Sequence, residues 1–243
     1  MLALLLDELG LDAHLLQARK IFHEHPAHEV IHLVLHTHGQ KPFSVELVGL
    51  AVAVQGAHAD FLGASADGVL EYTYADVVKV AGHSCPTVAS AYLMARAALH
   101  ALFPGTLPER GGVRVAMPQP VHEGVSGVMG NVISFVTGAA GEGGFHGIGS
   151  RFDRRDLLSY GAEELAGQVR FTRTDTGAAV SVQARPERVP GDPRIRTLIP
   201  RCLAGAATPE ESLLFRGLWQ DRVRRLLTEH ADDPEVIVVK PQG

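Results

Sequence analysis

Cysteine is scarce in this chain. Cys85 and Cys202 are the only two in 243 residues. That excludes a disulfide framework and makes a reduced, cytoplasmic setting the default expectation. Basic charge is short as well: 22 Lys and Arg stand against 27 Asp and Glu, a formal net charge of −5. The electrostatic footprint of a nucleic-acid binder is therefore missing. No long run of like charge marks a disordered acidic tail. No apolar stretch is long enough to span a bilayer, so no membrane partner is expected. The opening Met1-Leu2-Ala3-Leu4-Leu5-Leu6 runs at once into Asp7-Glu8. It lacks the basic flank and cleavage site of a signal peptide. The glycine-rich stretch 141–149 fits neither Gly-x-Gly-x-x-Gly nor Gly-x-x-x-x-Gly-Lys, so no nucleotide is implied.

What is present is apolar content and histidine. At 46% hydrophobic residues, the chain can bury the core of one domain, or of one domain with an extension. It carries 13 histidines, and His23, His25, His28, His32, His36 and His38 crowd together near the start. On a strand, His32, His36 and His38 share one face with Val34. That face either binds metal or is simply solvated; histidine-rich composition is only a hint of metal.

Hydrophobic spacing predicts a helix over residues 1–22, stopped by Pro26, and a strand over Val30–Leu35. A second strand, buried on both faces, is expected over Val45–Val54. Val77–Val80 reads as a short helix or strand. Pro86–Phe103 is the clearest helix, with proline in its first turn and Pro104-Gly105 after its end. A short strand at Val113–Met117, a helix over Val125–Val136 and a flexible stretch from Gly138 to Gly149 follow. Val169–Thr174 and Ala178–Val182 form a hairpin about Asp175-Thr176-Gly177. Pro209–Glu229 is a long helix, and Val236–Val239 a last strand. No repeat is visible and no regular βαβ alternation appears. The expected fold is α+β, a mixed β-sheet packed with helices. Residues 1–45 are expected to form an N-terminal extension, helix plus histidine-rich strand, and 46–243 the main domain.

The chemistry concentrates at Gly82-His83-Ser84-Cys85-Pro86. Cys85 precedes the first-turn Pro86, so it falls at the helix N-cap or its neighbour, where unpaired N–H groups and the helix dipole favour a thiolate. His83 is close enough to share a metal with that thiolate or to take its proton. Such a pair suits zinc or another borderline divalent metal. The bland alternative is a buried structural cysteine beside a satisfied histidine. The same run also looks like the Gly-x-Ser-x-Gly nucleophile elbow, with Pro86 in place of the last glycine. Proline lacks that glycine's freedom, and the triad histidine would have to be His230. Two further candidates are His122, in a proline-stiffened loop, and His146, among glycines that allow close backbone approach. Each is either a ligand or a surface histidine. Cys202 reads as structural.

The run Asp76–Pro86 followed by an Ala-rich helix resembles the FmdE-like family, named for a component of formylmethanofuran dehydrogenase, which shows a His-Gly-His-x-Cys-Pro-type run opening a helix. Asn131-Val132-Ile133 with Thr137-Gly138 is similar to that family's Cys-x-x-Asp-Ala-Ile…Thr-Gly segment. Phe171–Val180 resembles its Asp-Thr-Gly hairpin. The resemblance spans roughly Tyr72 to Val182. It implies an α+β fold, an intertwined homodimer and a cleft holding a metal by His and Cys, and it carries over onto His83 and Cys85. Ala81 stands where the family has its first histidine, Val128 where it has a later cysteine, Asn131 for its aspartate and Ala139 for the cysteine after Thr-Gly. No cysteine-rich ribbon follows residue 182. The ligand set must then differ, and His122 and His146 lie in the right part of the chain to complete it. No pterin site is recognisable, so the activity of the molybdenum- or tungsten-dependent complex is not carried over.

The expectation is thus a divergent FmdE-like metal-binding protein, zinc its expected cofactor, with His83, Cys85, His122 and His146 as ligands. It is either a metal-dependent enzyme acting on a small-molecule substrate or a carrier serving a metal-receiving protein. A hydrolase using Ser84, or Cys85 as its catalytic nucleophile, is the alternative.

Overall fold

The computed structural model describes residues 31–35, 43–47, 50–149, 151–165 and 168–242. All belong to one compact unit running from Ile31 to Gly243. The helix expected over residues 1–22 lies outside the described residues, as do His23, His25, His28, His36 and His38.

Strand β1 (Ile31–Leu35) pairs antiparallel with β2 (Phe43–Leu47), Leu33 opposite Val45. This hairpin spans the boundary expected at 45/46. β3 (Val52–Gln55) pairs instead with β4 (Val69–Tyr72), Val52 opposite Tyr72. The single strand expected over Val45–Val54 is therefore two, because its halves serve different partners. Nor is β3 buried on both faces. Val52 and Val54 are buried while Ala53 and Gln55 are partly exposed, as an alternating strand requires. Helix α1 (Ala57–Phe61) joins β3 to β4.

Helix α2 (Tyr74–Ala81) starts on a capping box. The Asp76 amide donates to Thr73 Oγ1 at 3.3 Å, and the Thr73 amide donates to the Asp76 carboxylate at 3.1 Å. Two orphan donors are thereby satisfied. α2 ends at Gly82, whose φ of 73° is the left-handed conformation that glycine adopts without a Cβ penalty.

Helix α3 (Pro86–Leu102) runs through the core. Small and apolar residues go all the way round it, and Val88, Ala89, Ala91, Tyr92, Leu93, Ala95 and Ala98 are completely buried. A helix apolar on every face must be enclosed by other elements. The Tyr92 hydroxyl bonds the carbonyls of Leu50 and Tyr72, tying the β3–β4 hairpin to it.

The remaining elements complete the enclosure. They are β5 (Val113–Ala116), helix α4 (Ser126–Thr137), β6 (Leu158–Ser159), β7 (Val169–Arg173), β8 (Ala179–Ala184), α5 (Ile195–Leu203), α6 (Pro209–Thr228) and β9 (Ile237–Gln242). Five strands make one sheet in the order β6-β5-β7-β8-β9, antiparallel except for the β5–β6 pair. The fold is α+β, a mixed sheet packed with helices. The β7–β8 hairpin turns at Asp175-Thr176-Gly177 as the sequence indicates. β4, β6, α1 and α5 do not stand out in the sequence pattern. Each is short or, in α5, contains a proline (Pro200), so periodicity gives little signal. Among the described residues no helix is long and apolar enough to cross a membrane.

Candidate functional site

The segment Gly82–Cys85 links α2 to α3. The left-handed Gly82 ends one helix, and Cys85, in extended conformation (φ −152°, ψ 166°), caps the next. The Cys85 sulfur accepts the Val88 amide at 3.4 Å. Pro86 fills the first helical position, where no donor is needed. The expected N-cap role of Cys85 is thus what the structure shows. The thiol is partly exposed, and neither it nor Cys202 is in a disulfide.

Ser84 is held from two sides. Its hydroxyl donates to Gln220 Oε1 at 2.9 Å and lies 3.1 Å from the Tyr74 hydroxyl. A serine has one proton, so with that proton on Gln220 the Tyr74 hydroxyl is the donor in the second bond. The Ser84 carbonyl accepts from Trp219 Nε1 at 3.1 Å and from Gln220 Nε2 at 3.0 Å. Tyr74 comes from α2, and Trp219 and Gln220 from α6. Burial pushes the Tyr74 phenol well above its ordinary value, so it stays protonated and able to donate. Sequence spacing does not single out these three residues. Trp219 is the only tryptophan, which is the one signal that could have drawn attention to α6.

This arrangement bears on the serine nucleophile. The partners of the Ser84 hydroxyl are an amide oxygen and a phenol, and neither is a base at neutral pH. His230, the histidine a triad would need, is not among the hydrogen-bond partners of the Ser84 hydroxyl; its Nδ1 pairs with Asp233 at 2.9 Å.

His83 is exposed, and its Nδ1 lies 3.0 Å from the Ala81 carbonyl oxygen. A carbonyl only accepts, so Nδ1 carries the hydrogen. In the neutral ring Nε2 then holds the lone pair. Metal-binding histidines are oriented by this kind of bond through the nitrogen that does not ligate.

His122 is exposed in the loop between β5 and α4, flanked by exposed Val121, Val125 and Val128. His146 is exposed in the glycine-rich loop, its ring 5.8 Å from that of Phe145. Phe145 stacks in turn on His58 at 4.6 Å. The glycines of this loop do allow close approach, but to the chain's own backbone. A Cβ on Gly147 (φ 86°) would lie 2.3 Å from the Arg151 carbonyl. The structure brings His83 and Cys85 onto one short loop and leaves His122 and His146 on loops of their own. Among the described residues no group of three or more His, Cys, Asp and Glu is placed to hold a metal ion. No family model and no curated protein matches the chain.

Proposed function

We propose that this is a divergent FmdE-like protein that binds a divalent metal, zinc in the first instance, through His83 Nε2 and Cys85 Sγ. The observation that carries the reading is the 3.0 Å bond from His83 Nδ1 to the Ala81 carbonyl, which leaves Nε2 as the free lone pair two residues from an N-cap sulfur. Nitrogen and sulfur donors of this kind fit zinc. Two donors per chain do not close a tetrahedral site. In this reading His122 and His146 reach the metal from a second copy, in the homodimer that the resemblance implies. The exposed apolar Val121, Val125 and Val128, close to His122 along the chain, are the surface a second copy would cover. With four protein donors, a bound metal would supply Lewis-acid polarisation only by taking on a fifth ligand or exchanging one of the histidines. The residues of the chain hold the loop: Tyr74, Trp219 and Gln220 fix Ser84, and Ser84 fixes its neighbours. Such a fifth or exchanged ligand could equally be a small-molecule substrate or a group of a metal-receiving protein.

Elemental analysis of untagged protein tests the site. About one metal per chain is expected, lost in both His83→Ala and Cys85→Ala. Retention of metal at full stoichiometry by a folded Cys85→Ala variant would contradict it. Mixing tests the completion across copies. His83→Ala and His122→Ala chains are each metal-free, and refolding them together should restore metal, because one of the two sites in each mixed dimer is then intact. No recovery would mean that the set is not shared between copies.

A further inference from the structure

A cavity of about 220 Å³ lies against the N-terminal half of α3, and Cys85 is not part of its wall. Thr87, Ser90 and Met94 contribute from α3, Met117 and Met129 from the β5–α4 segment, and Gln183 from β8. Two observations mark it as more than a packing fault. First, Ser90 is 3% exposed and its hydroxyl has no hydrogen-bond partner. Buried hydroxyls are normally paired, and an exception calls for an absent partner. Second, three of the four methionines in the chain meet here. Methionine is unbranched and polarizable, and it adapts to the shape of what it touches.

The lining also says what would fit. Its polar groups are hydroxyls and amides, and no Asp, Glu, Lys, Arg or His is among its described residues. A charged ligand would leave water with nothing to pair it, so the occupant is neutral. The volume is below that of a drug-sized pocket, so the occupant is small. We infer that this cavity is a binding site for a small uncharged molecule with an apolar body against the methionines and one amide-like or hydroxyl end on Ser90. The inference does not depend on a metal at His83 and Cys85.

The test uses four probes of one shape on the full chain: benzamide, benzoate, benzamidine and toluene. Binding is followed by ligand-observed NMR with titration of the protein signals. Benzamide is expected to saturate and to bind about tenfold more weakly to Ser90→Ala, the loss of one neutral hydrogen bond. Ala184→Leu, which fills the rim, should abolish binding. Ser90→Ala should be no less heat-stable than the parent, since its hydroxyl has no protein partner to lose. A destabilised Ser90→Ala would instead show that the hydroxyl is already satisfied. That result, binding of no probe, stronger binding of benzoate or benzamidine, or equal binding of toluene and benzamide unaffected by Ser90→Ala would each overturn the assignment.

Discussion

Of the three loops that carry histidines offered as ligands, two are held in opposite ways. Gly82–Cys85 is fixed by side chains from afar: Trp219 and Gln220 reach it from α6, and Tyr74 from α2. The glycine-rich loop around His146 is fixed by its own backbone. The Ala140 amide bonds the Arg154 carbonyl, the Arg154 amide bonds the Phe145 carbonyl, and Gly147 closes against Arg151. The first design holds a short loop through Ser84 from outside, while His83 and Cys85 make only local bonds, to the Ala81 carbonyl and the Val88 amide. The second spends its special residues on the turn itself. A loop of the first kind is suited to presenting two donors at fixed spacing.

Mutations should separate the two designs. Tyr74→Ala removes a buried ring and one of the bonds to Ser84, and should cost about 3–5 kcal/mol in urea unfolding. Gly147→Ala forces a left-handed conformation and a backbone clash on the other loop, at about 1–3 kcal/mol. It should also lower metal content, since His146 rides on that loop; unchanged content would remove His146 from the ligand set. Gln220→Ala deletes the bonds to both Ser84 atoms and should cost about 1–2 kcal/mol. It should speed amide exchange at 82–85 without affecting 138–149. In metal-free protein, His83→Ala, at an exposed position, should change stability by no more than about 0.5 kcal/mol. A large loss there would make His83 structural.

Acid gives a further distinction. Burial pushes the Asp76 carboxyl up, but hydrogen bonds from Lys79 and Thr73 outweigh it and hold the group below the usual carboxylate range. A carboxyl depressed in the folded state stabilises the protein above its unfolded value and loses that contribution as pH falls through the folded one. α2 should therefore loosen below the ordinary aspartate range near pH 3.8, and Asp76→Asn should flatten that part of the pH–stability curve.

Local signals were legible in the sequence. Proline in the first turn and Pro-Gly past the end placed α3 to within a residue, and the Cys85 cap followed from Pro86. The Asp-Thr-Gly turn placed the β7–β8 hairpin. What was not legible is non-local. That Gln220 and Trp219 would meet Ser84 depends on how α6 docks, which no spacing encodes. The Val45–Val54 segment reads as one strand because composition does not reveal that its two ends pair with different partners. The same limit applies to the site: the resemblance points to His122 and His146 by their place along the chain, but among the described residues no cluster of three or more potential ligands forms.

The most direct test of the central claim is the absorption spectrum of cobalt(II)-loaded, untagged protein. A sulfur-to-cobalt charge-transfer band is expected in the parent and absent in both Cys85→Ala and His83→Ala, which no longer hold the metal. A spectrum with no sulfur band, or one unchanged in both variants, would contradict a metal site at His83 and Cys85.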